Sequence, residues 1–452
     1  MRHIVLWWAV SAGVAAAQQP LTLGQAVEAA LTRYPAVRVS QERAAAAAAA
    51  INLARTAYLP RTDFLGQLNR ATHNNIFGML MPQAVIAPIS GPVLRTNSLA
   101  SVWGTAVGVL ASWEPFDFGL RRAQVGVAEA GRDRAGAQIA VTRLEVATAA
   151  ADGFLTLLAA EQQVTAARAG VERARVTHEV VASLAKNELR PGADESRARA
   201  ELALAQTQLI RAGQAVEEAR AALSPLVGVP PEAIEIAPGP LLSPLPEQAP
   251  APPAAAQHPL AMAQNAAFLE AKARENALKR AYFPRFNLQA TAFARGTGVQ
   301  PDGVTGNAAS GLGPNIQNWG VGMSVTFPAF DLPGIRARQA AAAADERAEQ
   351  ARYRQVVEDL GGEAAKARAA LAGARRVAAN TPVQLAAARD AERQAAARYQ
   401  AGLATIVELA EAQRLLTGAE IDDALARLGI WRAALAVAAA EGDLTPYLRL
   451  TK

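Results

Sequence analysis

The pentapeptide AYLPR at residues 57 to 61 returns as AYFPR at 281 to 285, 224 positions later. An internal repeat constrains architecture before any motif does, because two similar halves must build similar pieces. The echo is not isolated. YPAV at 34 to 37 parallels HPLA at 258 to 261, so Pro35 and Pro259 share the 224-residue offset of Pro60 and Pro284. WGTAVGVLASWEPFDFGLRRAQ (103 to 124) answers WGVGMSVTFPAFDLPGIRARQ (319 to 339), the offset drifting from 216 at the tryptophans to 214 at Phe116-Asp117 and Phe330-Asp331. RPGADESRARAE (190 to 201) aligns with QAGLATIVELAE (400 to 411), Gly192 opposite Gly402.

Between the halves, residues 225 to 259 hold 11 of the 26 prolines. Proline removes a donor and breaks helix, so this stretch reads as an extended linker. The expected organisation is a leader at 1–17, a first repeat at 18–224, a Pro-rich linker at 225–257 and a second repeat at 258–452. The leader has Arg2 ahead of an apolar run that ends in Ala15, Ala16 and Ala17, the pattern of a cleaved secretory signal. No later stretch is apolar for long enough to span a membrane as a helix.

Each half reads as a short helix, strand, loop, strand, very long helix, tight turn and medium helix. Alanine-rich runs such as QERAAAAAAAINLAR are strong helix formers. The long helices are expected from about Leu120 to Leu189 and from about Ile335 to Gln400, each roughly 100 Å at 1.5 Å per residue. Leu157, Val164 and Val171 step by seven, as do Leu202, Leu209, Val216 and Leu223, which is a coiled-coil seam. The shorter partners are expected over 194–223 and 404–441, with strand hairpins over 61–115 and 285–328.

The strands carry the membrane signal. In NWGVGMSVTF, Trp319, Val321, Met323, Val325 and Phe327 alternate with Gly320, Gly322, Ser324 and Thr326. In WGTAVGVLASW, Trp103, Val107, Val109 and Trp113 fall on one face, and Gly104, Gly108 and Ser112 on the other. Phe286, Leu288 and Ala290 do the same in the third strand; Phe64 and Leu68, in RTDFLGQLN, are the weakest case. Aromatics at both ends of an apolar face are what a membrane-spanning strand places at the two interfaces, so Trp103, Trp113, Trp319 and Phe327 are read as interface aromatics. Four strands cannot close a barrel, and an open edge in lipid leaves unpaired backbone groups at several kcal/mol each. The chain must therefore oligomerise if it spans. Two copies give eight strands and three give twelve; an eight-stranded barrel is filled by side chains, and a conducting pore favours three.

In their order and duplication, LTLGQAVEAALTRYP (21 to 35), AYLP and AYFP, PFDFGLRRA (115 to 123) and RYQAGLATIVELAEAQRLL (398 to 416) resemble the TolC family of outer-membrane efflux channels. The resemblance implies an α+β membrane protein. Three copies form a homotrimer with a 12-stranded β-barrel, continued by a long α-helical coiled-coil barrel in the periplasm. It implies no cofactor, contact with outer-membrane lipid, and two protein partners: a periplasmic adaptor (membrane fusion protein) and an inner-membrane pump of RND or ABC type. The channel itself would be a passive conduit for small molecules or polypeptides.

The resemblance also places a periplasmic gate at Glu408 and Glu411, three apart and hence on one helix face, with Tyr399 holding the closed state. Two departures stand out: Ala404 replaces an arginine present in some relatives, and Ala198, between Arg197 and Arg199, replaces an acidic partner. Pairing of Arg197 or Arg199 with Glu408 or Glu411 is the expectation drawn from that. The hairpin tips, with Arg190, Gly192, Gly402 and Leu403, are the expected adaptor-docking sites; both glycines also suit turn positions that need positive φ. The strand-connecting loops, about 73–97 and 296–318, should face outside the cell.

Other functions find less support. There is no cysteine, so disulfides and thiolate metal sites are excluded. The formal charge of +5 is spread among acidic residues along helices, which describes solvated faces rather than a nucleic-acid surface. No P-loop, HExxH or GxSxG motif occurs, and His73, His178 and His258 lie far apart, so no enzyme is expected. His73 with Met79 and Met81 suggests a soft-metal contact only weakly. The competing reading is a soluble periplasmic coiled-coil adaptor or scaffold, whose strands would not carry interfacial aromatics.

Overall fold

The computed structural model describes residues 20–74, 97–188, 191–246, 255–300, 302–327 and 329–451. The leader at 1–17, the apolar loop at 75–92 with Met79 and Met81, Leu189 and Arg190 lie outside the described residues. In chain order the elements are α1 (Leu23–Arg33), α2 (Pro35–Thr56), β1 (Arg61–Thr72), β2 (Ser101–Phe116), α3 (Leu120–Lys186), α4 (Gly192–Val227), α5 (Pro259–Arg280), β3 (Arg285–Thr297), β4 (Ile316–Thr326), α6 (Leu332–Gln400), α7 (Ile406–Glu441) and α8 (Thr445–Leu450). The duplication is visible in the lengths: α2 and α5 have 22 residues each, α4 and α7 have 36 each, and α3 and α6 have 67 and 69. The fold divides into two compact units, and each draws on both halves of the sequence.

One unit (Arg43–Gly136 with Gln264–Tyr353) holds a four-stranded antiparallel sheet in the order β1-β2-β3-β4. Register decides which side chains share a face. Phe64 pairs with Val109 and Arg70 with Trp103; Val109 pairs with Ala292 and Trp113 with Leu288; Ala292 pairs with Trp319 and Leu288 with Met323. Every apolar residue picked out from the alternation therefore lies on one continuous face. Trp319 is 78% exposed there and Phe64 79%. The opposite face carries Asn287, Gln289, Thr291, Gly320, Gly322 and Ser324, with a small apolar cluster of Ala106, Leu110, Phe293 and Leu65. Gly108 is required in that cluster, because a Cβ there would lie 2.4 Å from Cβ of Phe293. At the loop end, Asn74 and Ser98 exchange two hydrogen bonds (2.9 and 3.2 Å), and Gly298 N–H donates to the Trp103 carbonyl at 2.8 Å, folding the second loop back over β2.

At the other end each strand meets a helix. Pro60 and Pro284 stop α2 and α5, since the residue before a proline avoids helical geometry. The β2–α3 step turns on Phe118 (φ 50°) and Gly119 (φ 85°). Asp117 closes it: its carboxylate accepts from Gly119 N–H (3.1 Å), Arg121 N–H (2.7 Å) and Arg121 Nε (2.8 Å). Arg121 in turn donates to the Ala57 carbonyl at the end of α2 (3.1 Å) and lies 5.1 Å over the Tyr58 ring. Both charged side chains are buried. Around them Phe116, Phe118, Phe283 and Phe286 form an aromatic cluster with centroids 4.6 to 6.3 Å apart.

The other unit (Met1–Glu42, Ala137–Ala263, Arg354–Lys452) has the larger core. Leu23 and Val27 of α1, Phe154, Leu155, Leu157 and Leu158 of α3, Leu223 of α4, and Trp431 and Leu435 of α7 meet there, all buried. The seam positions Leu157 and Leu223 are fully buried, whereas Val171, Leu202 and Leu209 are only half-buried. The proline-rich segment departs from the extended linker expected for it. Helix α4 runs through Pro225 to Val227, and Gly228 caps it at φ 70°. Beyond it lie two 3₁₀ turns whose Ile234 and Leu241 enter the core, and the Ser243 carbonyl accepts from Trp431 Nε1 at 3.1 Å. Apolar residues between the prolines drive this, because burying each contributes about 1.5–3 kcal/mol.

Burial by itself raises the Asp117 pKa, but the two N–H groups of Arg121 and Gly119 and the guanidinium together outweigh it, so the pKa falls below its ordinary 3.8. A carboxyl with a lowered folded pKa stabilises the fold above its unfolded pKa, and that stabilisation is lost as pH falls through the folded value. Asp117→Ala strands a buried guanidinium and should cost about 3–5 kcal/mol. Thermal unfolding in detergent at pH 7 checks the cost, and the gap between wild type and variant should shrink below about pH 4.

Candidate functional site

The second hairpin turn joins α6 to α7. Gly402 sits at φ 77°, Leu403 N–H donates to the Arg398 carbonyl at 2.8 Å, and Gly402 N–H donates to that of Tyr399 at 3.1 Å. That paired pattern is a Schellman end, which requires a left-handed residue where glycine stands. Helix α7 then starts with a capping box, Thr405 Oγ1 accepting from Glu408 N–H (3.3 Å) and the Glu408 carboxylate accepting from Thr405 N–H (3.3 Å).

The first hairpin turn is built differently. The left-handed position falls on Glu188 (φ 58°), and Gly192 instead opens α4 behind Pro191, which is its N-cap. The expectation of positive φ at Gly192 is therefore corrected. The proline with its fixed φ precedes the helix start, and Gly192 takes up helical geometry as the first residue of α4.

Tyr399 is 3% exposed and packs with Val181 of α3, Ala198 of α4, and Ala404, Ile406 and Leu409. The two alanines singled out as departures thus occupy one apolar cluster beneath the turn. Glu408 and Glu411 lie on the exposed side of α7, as does Val407, and Leu403 in the turn is exposed too. Arg197 lies 3.9 Å from Glu201, which Arg414 also approaches at 3.8 Å. Arg199 is exposed, and among the described residues neither it nor Glu411 has an ion-pair partner. The structure does not bring Arg197 or Arg199 to Glu408 or Glu411. Arg190 lies outside the described residues.

Behind the tip runs a set of contacts that no sequence motif marks. Gln413 of α7 donates to Thr177 of α3 at 2.8 Å; Arg173 donates to Thr417 (2.7 Å) and to both carboxylate oxygens of Glu420 (2.8 and 3.3 Å). Gly170 lets Thr417 approach, since an added Cβ would sit 3.2 Å from its side chain. On the other side of α7, Asp423 is buried in the heptad series Leu409, Leu416, Asp423, Ile430; it accepts from Thr381 Oγ1 at 3.0 Å and pairs with Arg427. These partners lie 42 and about 240 positions apart, beyond the reach of local periodicity. A groove of about 450 Å³ opens between α3, α4 and α7, with Glu201, Arg211, Gln413 and Arg414 in its lining.

The aromatics expected at the membrane interfaces sit in two rows. Trp103 and Trp319 are at the loop end of β2 and β4, and Trp113 and Phe327 at the helix end. Ten residues separate Trp103 from Trp113, about 33 Å of strand at 3.3 Å per residue, which a tilt near 40° reduces to the roughly 25 Å of an outer-membrane apolar band. Arg70 covers the Trp103 ring at 5.2 Å, and Trp113 Nε1 donates to the Tyr58 carbonyl at 3.1 Å, so both indoles have a polar anchor. Among the described residues no helix is long and apolar enough to cross a membrane, and no cluster of His, Asp and Glu has the arrangement of a metal site.

A family model described as outer membrane efflux protein matches residues 26–229 and 252–443. The fold is similar to that of the outer-membrane channel OprN, at 22% identity over 93% of this chain and 89% of that one, with a TM-score of 0.71. It is similar to the CmeC outer membrane channel of Campylobacter jejuni (16% identity, 93% and 85% covered, TM-score 0.75) and to the outer membrane protein VceC of Vibrio cholerae (18%, 93% and 96%, 0.72). No curated protein sequence matches this chain.

The two turns respond oppositely to glycine chemistry. Gly402→Ala forces a side chain into the left-handed region and should destabilise by about 1–2 kcal/mol, whereas Glu188→Gly relieves the same cost. Limited proteolysis at the tips checks both: faster nicking near residue 402 in the first variant, unchanged or slower nicking near residue 188 in the second.

Proposed function

The chain belongs to the outer membrane efflux protein family and is a passive outer-membrane efflux channel, and from that premise we propose that three copies close the sheet into a 12-stranded barrel over a helical tunnel. The observation that carries this is the sheet itself. It has four antiparallel strands, among the described residues no partner on the outer side of β1 or β4, and one apolar face bounded by aromatics at both ends. In lipid those edges must pair. Because β1 and β4 run in opposite directions, a neighbouring copy extends the sheet antiparallel, and every multiple of four strands is even, as such barrels require. Three copies leave a lumen that eight strands would fill with side chains. The half-buried seam positions Val171, Leu202 and Leu209 find their remaining cover on adjacent helices of the tunnel. A soluble adaptor would have no use for a sheet face with Trp319 and Phe64 open to the surroundings.

The tunnel tip is the gate in this reading. Glu408 and Glu411 from three copies bring six carboxylates around a narrow axis, which favours cations. The α6–α7 turn is held against α4 by the apolar cluster of Tyr399, Ala198 and Ala404 in place of an ion pair. Arg197 and Arg199 act in the tip's surface charge, with Arg197 directed to Glu201. The exposed Leu403, with Gly192, Gly402 and Arg190 at the same tips, forms the docking ground for a periplasmic adaptor, continued by the groove between α3, α4 and α7. An inner-membrane pump of RND or ABC type supplies energy and cargo. The sequence division into repeats at 18–224 and 258–452, joined by the segment 225–257, describes how each copy supplies two hairpins.

Reconstitution in a planar bilayer tests the gate and the pore together. Wild type should form small cation-preferring channels, and Glu408→Gln/Glu411→Gln should reduce the preference for cations several-fold. Tyr399→Ala removes a buried ring, costs the tip about 3–5 kcal/mol, and should raise resting conductance, while Arg197→Glu should leave it near the wild-type value. Absence of channels from the wild-type protein would sink the pore; an unaltered Tyr399→Ala channel would sink the apolar latch.

A further inference from the structure

The two open edges of the sheet carry large apolar side chains with nothing over them. Phe330, just past β4, is 98% exposed; Phe64 and Leu59, within and just before β1, are 79% and 66% exposed, and Phe327 is 52% exposed. Their counterparts in the duplicated sequence occupy the middle of the sheet, where β2 meets β3. Under the 214-residue offset Trp113 becomes Phe327 and Phe116 becomes Phe330. Under the 224-residue offset Leu59 becomes Phe283 and Phe64 becomes Leu288. In that central junction Trp113 pairs with Leu288, Phe116 packs on Phe286, and Phe118 stacks on Phe283. The counterparts there are more covered: Trp113 41%, Leu288 37% and Phe283 39%.

The β2–β3 junction inside one chain is therefore a template for the junction that the open edges lack. We propose that β4 pairs with β1 of a second copy of this chain with Phe327 opposite Phe64 and Met323 opposite Leu68, while Phe330 lies by Thr62 and Leu332 by Leu59 of that copy. This rests on the barrel reading above and adds the register and the side-chain contacts that close it. Both members of each pair lie on the apolar face, which is the first demand on a register, because a slip of one residue would turn the whole edge strand inside out. A slip of two residues keeps the faces and must be excluded separately. It is what the 216-residue offset at the loop end predicts, with Phe327 opposite Gly66. The helix end sets the register because the strand boundaries are fixed there. The prolines before β1 and β3 stand at the same distance past the preceding helix, and each strand starts at the next residue. The two-residue difference is absorbed within β2, which is 16 residues long against 11 for β4 and carries a bulge between Trp113 and Phe116. The edge junction also has fewer rings than the central one: Phe330, Leu332, Leu59 and Thr62 stand where Phe116, Phe118, Phe283 and Phe286 do. It is the weaker of the two.

The chain has no cysteine, so introduced pairs report on proximity without background. Residues directly opposite have Cα atoms about 4.5–5.5 Å apart, within disulfide reach, while a two-residue slip opens this to about 7–8 Å. Phe64→Cys/Phe327→Cys and, independently, Leu68→Cys/Met323→Cys should oxidise into covalent dimers and trimers on heated, non-reducing gels. Their yield should be several-fold above that of Gly66→Cys/Phe327→Cys, and the species should vanish with reductant. Preferential linking of the Gly66 pair, disulfides confined to single chains, or no linking in either matched pair would overturn the register. Unheated wild-type protein separates the two levels of the claim. If it migrates as an oligomer while the matched pairs fail to link, the register alone is wrong; if it migrates as a monomer, the barrel reading fails with it.

Discussion

A backbone amide in hydrocarbon has no water to turn to, and this constraint organises the molecule. Four strands with one apolar face satisfy it everywhere except along the outer sides of β1 and β4. Leaving a dozen residues of edge unpaired in lipid, at several kcal/mol for each orphan group, would exceed the whole stability of an ordinary domain. In the proposed reading the sheet is thus a sector of a closed cylinder rather than a fold complete in itself. The duplication follows from the same requirement. One repeat supplies a single hairpin, and two supply four strands with edges of opposite direction. The polar face then lines whatever the cylinder encloses, and Gly108 keeps that face low where Phe293 crosses it.

Passing from strand to helix is the second problem, and the two repeats solve it with different physics. In the first, Asp117 and Arg121 form a buried ion pair that also ties down the end of α2 through Ala57 and Tyr58. In the second, Asp331 keeps the capping position, with its carbonyl accepting from Ile335 N–H at 2.9 Å, but Ile335 stands where Arg121 would be and is itself buried. A buried ion pair contributes little net stability over an apolar pair, yet it tolerates only one geometry. The first step is accordingly the more tightly specified of the two. It also lies in the interior of the sheet, next to β3, where the four phenyl rings gather.

Most of the strand architecture was legible because a period of two leaves no ambiguity about faces. Trp103, Val107, Trp113, Trp319 and Met323 could be assigned to one side before any pairing was known, and the observed register joins them. The tandem organisation was legible for a similar reason, since a repeated proline marks the same step twice. What was hidden depends on contacts far apart in sequence. The proline-rich segment reads as a spacer by composition, but Ile234, Leu241 and the Ser243 carbonyl are drawn into the core by residues about 190 positions later. Glu188 in the left-handed region carries no local signal, because the turn needs some residue there and glycine stands four positions further on. The Arg173–Glu420 and Thr381–Asp423 contacts are invisible for the same reason: each half of the pair looks like an ordinary helix-surface residue.

Those hidden contacts set the balance between rigidity and movement along the helical hairpins. The larger core gathers more than twenty buried apolar side chains, among them Trp431 and Phe154. Polar pins at Arg173, Thr177 and Asp423 fix the axial register of α7 against α3 and α6, the use for which buried polar groups in a coiled coil are best attested. Beyond the last pin, at Thr177–Gln413, the only apolar packing among the described residues is the small cluster around Tyr399, with two alanines at its centre. Alanines contribute little buried area, so the free energy holding the tip is a small part of that holding the core. Local opening follows such gradients, with the least-packed segment released first while the rest stays folded. In the proposed reading, a tip built this way yields to a modest docking energy, and the pins immediately behind it confine the movement to the tip.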